Sequence, residues 1–178
     1  MTIHRIPSAD SYMPHAHEGA KAYAARLRST LLPSWPEEVL IEWLHRHPNQ
    51  IGHYSFLDFA TFRFRLETWP RDAVPGGEAF GDPIYQRRWL DFGSNLLTER
   101  VKRRGDWLAR YMCEHGTWNT PIVLLRNDCA SAMRPDDTYL GSPFHLLEGH
   151  RRLSFLNKLR VENLAGASHQ VWVVEREF

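Results

Sequence analysis

Five consecutive residues, Glu148-Gly149-His150-Arg151-Arg152, bring together side chains that bind phosphate and exchange protons. The planar guanidinium group of arginine matches the spacing of phosphate oxygens. A neighbouring carboxylate can hold a divalent metal ion or act as a base, and a histidine can exchange a proton near neutral pH. The stretch therefore predicts a phosphate-binding site made of Gly149, Arg151 and Arg152. Glu148 and His150 are its candidate catalytic residues, and Glu148 is also its candidate metal ligand.

The elements predicted around this stretch place it at the start of a helix. Residues 144–147 are typical of a short strand, and Leu153, Leu156 and Leu159 recur every three residues, as on one face of a helix. The first amides of a helix have no partner within it and lie at the positive end of its dipole, so they attract anions. Gly149 allows the sharp turn that this requires. Two arginines in a first turn, where acidic residues are usual, indicate that a ligand supplies the negative charge.

The two arginines also have a purely structural interpretation. Either side chain could be solvated, or could pair with an acidic residue such as Asp136 or Glu148. The succession of strand, glycine turn and helix favours an anion site over this alternative, but the residues alone leave both interpretations open.

Composition is that of an ordinary soluble protein. The 178 residues are 43% hydrophobic and 24% charged, and no apolar run approaches the ~18 residues of a membrane span. We expect a cytoplasmic protein without membrane contact, because the first residues lack the apolar core of a signal peptide. The two cysteines, Cys113 and Cys129, are too few for a disulfide framework and are expected to be reduced. A formal net charge of +1 gives no overall attraction to nucleic acid.

The pattern of apolar residues divides the chain into a helical N-terminal part and an α/β part. Helical periods precede residue 48, and an alternating stretch at 62–66 predicts a strand with one wet face. Three prolines and three glycines within residues 69–83 indicate an exposed linker. Beyond it the predicted order is helix, helix, strand, loop, strand, helix and strand. We therefore predict an aromatic-rich helical extension over residues 1–83 and an α/β (α+β) domain over residues 84–178.

Residues 107–175 resemble the ParB/sulfiredoxin-like superfamily. The resemblance rests on a predicted helix, then Gly116 followed by Pro121-Ile122-Val123, and then the strand, turn and helix at 144–153. Members of the superfamily carry a helix and "G…PI.V", then a strand and "GERR", "DGHHR" or "GCHR". The parts come in the same order here, so the likeness is more specific than the five-residue turn alone.

This resemblance implies a small mixed sheet flanked by helices, and a nucleotide ligand. In the superfamily the turn and helix hold nucleotide phosphates, commonly with magnesium, in CTP-switching clamps, ATP-using reductases and free-serine kinases. A nucleotide di- or triphosphate and Mg²⁺ are thus the expected cofactors. Gly149 and Arg152 match the most regular positions of the motif. Arg151 matches the first arginine of "GERR", and Glu148 matches the acid of "DGHHR".

His150 departs from the superfamily pattern. It replaces the glutamate of the CTP-binding clamps and the cysteine of the sulfiredoxins. The missing thiol argues against reduction of sulfinic acids, and the missing glutamate weakens the assignment as a CTP clamp. The resemblance implies a nucleotide-dependent enzyme or switch, and hydrolysis or transfer of a phosphoryl group is the reaction expected of such an enzyme.

A function of a different class is also open, namely a non-catalytic module that binds nucleic acid or a protein partner through the same basic loop. A basic cluster at a predicted helix end comprises Arg100, Lys102, Arg103 and Arg104. It is either solvated or in contact with DNA phosphates. The aromatic region from Trp35 to Trp69 is either the core of the extension or a partner-binding face. A nuclease is disfavoured, because no dense acidic cluster is present to hold two metal ions.

Overall fold

The chain forms two compact units, each with its own set of contacts. The computed structural model describes residues 7–98, 105–128 and 140–177. The smaller unit comprises residues 7–64 and 175–177, and the larger unit comprises the described residues between 65 and 174. The chain passes from one unit to the other within two of its strands.

The described residues contain a four-stranded mixed sheet in the order β1, β4, β2, β3. Its strands are β1 Phe62–Pro70, β2 Ile122–Arg126, β3 Phe144–Glu148 and β4 Ser168–Arg176. Strand β2 pairs parallel with β4 and antiparallel with β3. Backbone hydrogen bonds from Glu177 to Thr61 and from Arg71 to Ala167 join opposite ends of β1 and β4, so these two strands run antiparallel. The predicted α+β class with a small mixed sheet is therefore confirmed.

Strand β1 is an edge strand of this sheet, whereas its position in the sequence assigns it to the N-terminal extension. Phe62 is buried and Phe64 partly buried, as the alternation predicts, but Leu66 is 46% exposed. The alternating period identifies a strand, but it does not identify the partner, because the two strands of an antiparallel pair can lie far apart in the chain.

The smaller unit has an aromatic core enclosed by short helices. Its helical elements are α1 Ala20–Thr30, α2 Glu37–Val39 with a π-helical continuation Leu40–His45, α3 Asn49–His53, and 3-10 turns at Ala9–Tyr12 and Phe59–Thr61. The ring of Trp35 stacks on Phe62 and on Trp43, with ring centres 5.8 and 5.7 Å apart. Phe59 packs against all three of these rings. These four side chains are buried, which supports the core interpretation for them, and a partner-binding face remains a prediction.

The larger unit packs its helices on a core that includes the sheet. These helices are α4 Pro83–Ser94, α5 Trp107–His115 and α6 His150–Val161. The predicted stripe of α6 is confirmed, because Leu153, Leu156 and Leu159 are fully buried in a core that they share with Val171 and Val173 of β4. The N-terminus of α6 is thereby held at the end of β3, where the candidate site lies.

The segment between β1 and α4 is not the exposed linker that its prolines and glycines predict. Two 3-10 turns, Arg71–Ala73 and Gly77–Phe80, form most of it. Val74, Ala79 and Phe80 are buried in the core of the larger unit. The glycines and prolines do mark turns, but burial of these apolar side chains holds the segment against the rest of the unit.

Replacing Gly93 with alanine is expected to destabilise the protein by about 2 kcal/mol, because overpacking outweighs the better helix propensity of alanine. Gly93 lies where α4 crosses α6, and a Cβ atom there would be 2.6 Å from Ser154 Oγ and 2.8 Å from the Ser154 carbonyl carbon. Chemical denaturation would measure the change. Gly52→Ala is the matched control, since its Cβ would meet no atom within 4 Å. Equal stability of the two variants would show that the helices are not in such close contact.

Candidate phosphate-binding site

The turn between β3 and α6 has the geometry that the sequence predicts. Strand β3 ends at Glu148 and α6 begins at His150, with only Gly149 between them. Gly149 adopts φ 103° and ψ 26°, a left-handed conformation that favours glycine. A Cβ atom at this position would lie 2.5 Å from Ile122 Cγ2. Glycine is thus needed both for the backbone conformation and for the close approach of β2.

Arg152 is buried and anchors the turn. Its Nη2 donates a hydrogen bond to Glu148 Oε1 at 3.0 Å, and its Nη1 donates to the Thr120 carbonyl at 3.0 Å. Glu148 is 7% exposed and Arg152 is 8% exposed. The pairing with Glu148 that the sequence left open therefore occurs. A phosphate bound by Arg152 would have to share the guanidinium group with the Glu148 carboxylate or displace that carboxylate. The phosphate-binding role of Arg152 remains a prediction.

Arg151 is the accessible cation of the site. Its Nη2 forms an ion pair with Asp106, and its side chain remains 47% exposed. The same guanidinium carbon lies 5.8 Å from the ring centre of Phe92 and 5.7 Å from that of Phe155. Asp106 is also the N-cap of α5, where it accepts a hydrogen bond from the Ala109 amide at 3.1 Å. These contacts hold Arg151 beside the first turn of α6 while leaving it open to solvent.

His150 is enclosed by aromatic rings. It is 9% exposed, and its ring centre lies 5.2 Å from Trp89, 5.8 Å from Tyr85 and 6.0 Å from Phe80. Tyr85 and Trp89 are four residues apart and share one face of α4, a spacing that could have indicated an aromatic face although neither residue was among the predicted site residues. Both His150 and Glu148 are buried. The catalytic roles predicted for them remain predictions.

No protein-held metal site is found among the residues that the structure describes. Within residues 7–98, 105–128 and 140–177, no group of three or more His, Cys, Asp or Glu side chains could hold a metal ion. One oxygen of Glu148, the predicted ligand, is bound to Arg152. Mg²⁺ keeps several waters and is often held through substrate phosphates, so an ion here would have to arrive with the nucleotide.

Several predicted features lie outside the described residues. They are the basic residues Arg100, Lys102, Arg103 and Arg104, the thiol of Cys129, and the acid Asp136. The two interpretations of the basic cluster, solvated or in contact with DNA phosphates, therefore both remain open as predictions. Among the helices that the structure describes, none combines the length and the apolar character needed to cross a membrane.

No protein-family model matches this chain, and no curated protein or solved structure matches it either. The fold and the site define a mixed α+β protein with a glycine turn and an arginine-bearing helix start at one end of its sheet. Membership of the ParB/sulfiredoxin-like superfamily is thus a proposal that rests on the sequence motif.

Proposed function

We propose that this chain binds the phosphate groups of a nucleotide di- or triphosphate at the N-terminus of α6. One observation carries the proposal. Helix α6 starts directly after Gly149, its first turn contains no acidic residue, and half-exposed Arg151 stands beside it. The helix dipole supplies roughly half a positive charge at this end. Together with the guanidinium group it favours an anionic ligand.

The neighbouring side chains favour a nucleotide over inorganic phosphate. Phe92 is 41% exposed beside Arg151, so part of its ring is accessible to a nucleobase. The resemblance of the turn to the nucleotide-binding motif of the ParB/sulfiredoxin-like superfamily supports the same ligand. Glu148 and Arg152 would fix the position of the turn, and release of phosphate or transfer of a phosphoryl group would be the next activity to measure.

The proposal is tested by nucleotide binding to wild type and to Arg151→Gln. ATP, ADP, CTP and GTP, each with and without Mg²⁺, would be compared by thermal shift and calorimetry. A ligand at 100 times its dissociation constant should stabilise the wild type by about 2.7 kcal/mol. Arg151→Gln should weaken binding about 10- to 100-fold, as expected for a hydrogen bond to a charged group. The fold should survive, because exposed ion pairs contribute only about 0–1 kcal/mol.

Arg46→Gln is the matched control, because Arg46 also forms a surface ion pair, with Glu42, in the smaller unit. It should bind nucleotide as the wild type does. Failure of all four nucleotides to bind the wild type would reject the proposal. Binding that is unaffected by Arg151→Gln would place the nucleotide elsewhere.

A second candidate function is a non-catalytic module that binds single-stranded nucleic acid on the same surface. Trp107 is 55% exposed and follows Asp106, the partner of Arg151, in the chain, and Phe92 beside Arg151 is 41% exposed. Such rings stack on bases, and each stacked base contributes about 1–3 kcal/mol. Binding of a labelled oligonucleotide that weakens steeply with salt and with Trp107→Ala, in a chain that binds no mononucleotide, would favour this function.

A further inference from the structure

Strand β1 lies at one edge of the sheet, and no strand of the described residues pairs with its outer side. An unpaired edge presents a row of backbone amides and carbonyls, which can pair with another strand. The strand is nine residues long, and Leu66 in its middle is 46% exposed. This edge is therefore a place where a further strand can add, and its side chains indicate which strand.

The bonds to β4 show which backbone groups of β1 face outward. The Thr61 carbonyl accepts a hydrogen bond from the Glu177 amide, and the Arg71 amide donates to the Ala167 carbonyl. The two bonded positions are equally far apart on the two strands, so the register has no net shift. In an antiparallel pair, residues that bond to the partner alternate with residues whose backbone points the other way. After its first two residues, the outward residues of β1 are therefore Phe64, Leu66, Thr68 and, without an amide, Pro70.

Two opposite charges flank Leu66, one on each side. Arg65 and Glu67 lie on the same face of the strand, because successive side chains alternate between faces. Arg65 Nε lies 3.3 Å from Glu67 Oε1, and the two side chains are 56% and 33% exposed. The indole Nε1 of Trp69 donates to the other carboxylate oxygen, Glu67 Oε2, at 2.7 Å. The carboxylate is thus held in place beside a guanidinium group of opposite charge, and both are accessible to solvent.

This order of charges is complementary to itself when two strands run antiparallel. If Leu66 lies opposite Leu66 of a second copy, each Arg65 lies opposite Glu67 of the other copy. By the alternation, the backbones of Arg65 and Glu67 face β4, so at the outer edge they form non-hydrogen-bonded pairs, in which side chains are closest. Opposite charges at such positions stabilise a sheet, whereas like charges directly opposite destabilise it. A pair centred on Arg65 or on Glu67 would bring like charges together, so the charges select the register centred on Leu66.

We propose that the outer edge of β1 pairs antiparallel with the same edge of a second copy of this chain, centred on Leu66. The contact is isologous, since the same residues serve both copies. Leu66 donates and accepts a backbone hydrogen bond across the two-fold axis, and its exposed side chain packs against its counterpart. Pairing ends at Pro70, which has no amide to donate. The interface lies on β1 and does not depend on the proposed nucleotide.

Charge reversal tests the interface and its register. Sedimentation equilibrium of the wild type over a range of concentrations should show a species of twice the 20.8 kDa mass of the chain. Arg65→Glu places a glutamate opposite each Glu67, and Glu67→Arg places an arginine opposite each Arg65. Either change turns two attractive pairs into two repulsive pairs, so it should raise the dissociation constant of the dimer about 10- to 100-fold.

The two variants should complement each other. In a mixture of Arg65→Glu and Glu67→Arg, one chain carries two acids and the other carries two arginines, so every pair across the axis is again of opposite charge. The mixture should form a heterodimer with the dissociation constant of the wild-type dimer. The double variant Arg65→Glu/Glu67→Arg reverses both charges and should form a homodimer again. Mixing cannot repair a chain that fails to fold, so the heterodimer separates an interface from a loss of stability.

Arg28→Glu is the matched control, because Arg28 is a 48% exposed arginine of α1 that also pairs with a glutamate, Glu37. It should dimerise as the wild type does. A wild type that stays monomeric at every concentration, or a mixture that forms no heterodimer, would overturn the proposal. If a charge variant does not fold, Leu66→Lys decides the matter, because it changes an exposed side chain and places two ammonium groups opposite each other. Loss of the dimer in Leu66→Lys supports the interface, and a dimer that persists contradicts it.

Discussion

Arg152→Met is expected to lower the free energy of unfolding by about 3–5 kcal/mol, because it removes the guanidinium group that pairs with the buried carboxylate of Glu148. Glu148 would keep a carboxylate that is 7% exposed, and the Thr120 carbonyl would lose the donor now 3.0 Å away. Methionine fills much of the volume of the arginine side chain, so the loss of charge pairing should dominate over any cavity. Urea denaturation at pH 7, with the slope checked for two-state behaviour, would measure the effect.

The double variant Glu148→Gln/Arg152→Met separates charge from packing. It removes both charges, so it should recover much of the stability that Arg152→Met loses. A cost of less than about 1 kcal/mol for Arg152→Met alone would mean that the pair behaves as a solvated surface pair. Arg152 would then be free to bind a ligand, and a direct phosphate contact would become the better interpretation of its place in the motif.

The stabilising role expected of Arg152 makes Arg151 the better residue for testing nucleotide binding. Loss of binding in a variant of Arg152 would follow from unfolding as readily as from a missing ligand contact. Arg151 avoids this ambiguity, because its side chain is 47% exposed and its ion pair with Asp106 lies at the surface. The adjacent arginines of the motif thus have separate physical roles, one in holding the turn and one in facing solvent.

Local signals predicted the elements of the site but not the contacts between them. The strand before Glu148, the glycine turn and the leucine face of α6 are periodic or conformational features within a few residues, and they are confirmed. The partner of Arg151 is Asp106, which lies 45 residues earlier in the chain. No periodicity connects these positions, because the contact exists only once α5 and α6 are placed side by side. The ring of Phe80 against His150 is a second contact of this kind.

The segment after β1 shows where composition misleads. Its prolines and glycines predict turns, and turns are present at Arg71–Ala73 and Gly77–Phe80. Composition does not indicate whether the carbonyls of a turn accept hydrogen bonds from water or from a buried side chain. Here Arg160, which lies 85 residues after Pro75, donates to them. The prediction of an exposed linker was wrong because the local sequence gives no sign of a hydrogen-bond donor that lies so far along the chain.

Gly149→Ala is expected to destabilise the protein by about 2–5 kcal/mol, from a left-handed backbone and a steric overlap together. The added methyl group would lie 2.5 Å from Ile122 Cγ2 and 2.9 Å from Ile122 Cβ, and Ile122 is itself fully buried. Neither the turn nor β2 can move without shifting the start of α6. Denaturation at pH 7 would measure the loss, and any folded fraction should bind nucleotide weakly because the helix amides would point elsewhere.

Gly105→Ala separates the two causes. Gly105 also has a positive φ, of 68°, but a Cβ atom there would meet nothing within 4 Å. Its replacement should cost about 1–2 kcal/mol from backbone strain alone. The excess cost at Gly149 then measures the contact with Ile122, and equal costs would show that β2 does not press on the turn. A large excess would mean that the position of the α6 N-terminus is set by β2, so that the sheet, and not the loop by itself, orients the amides that we propose to bind phosphate.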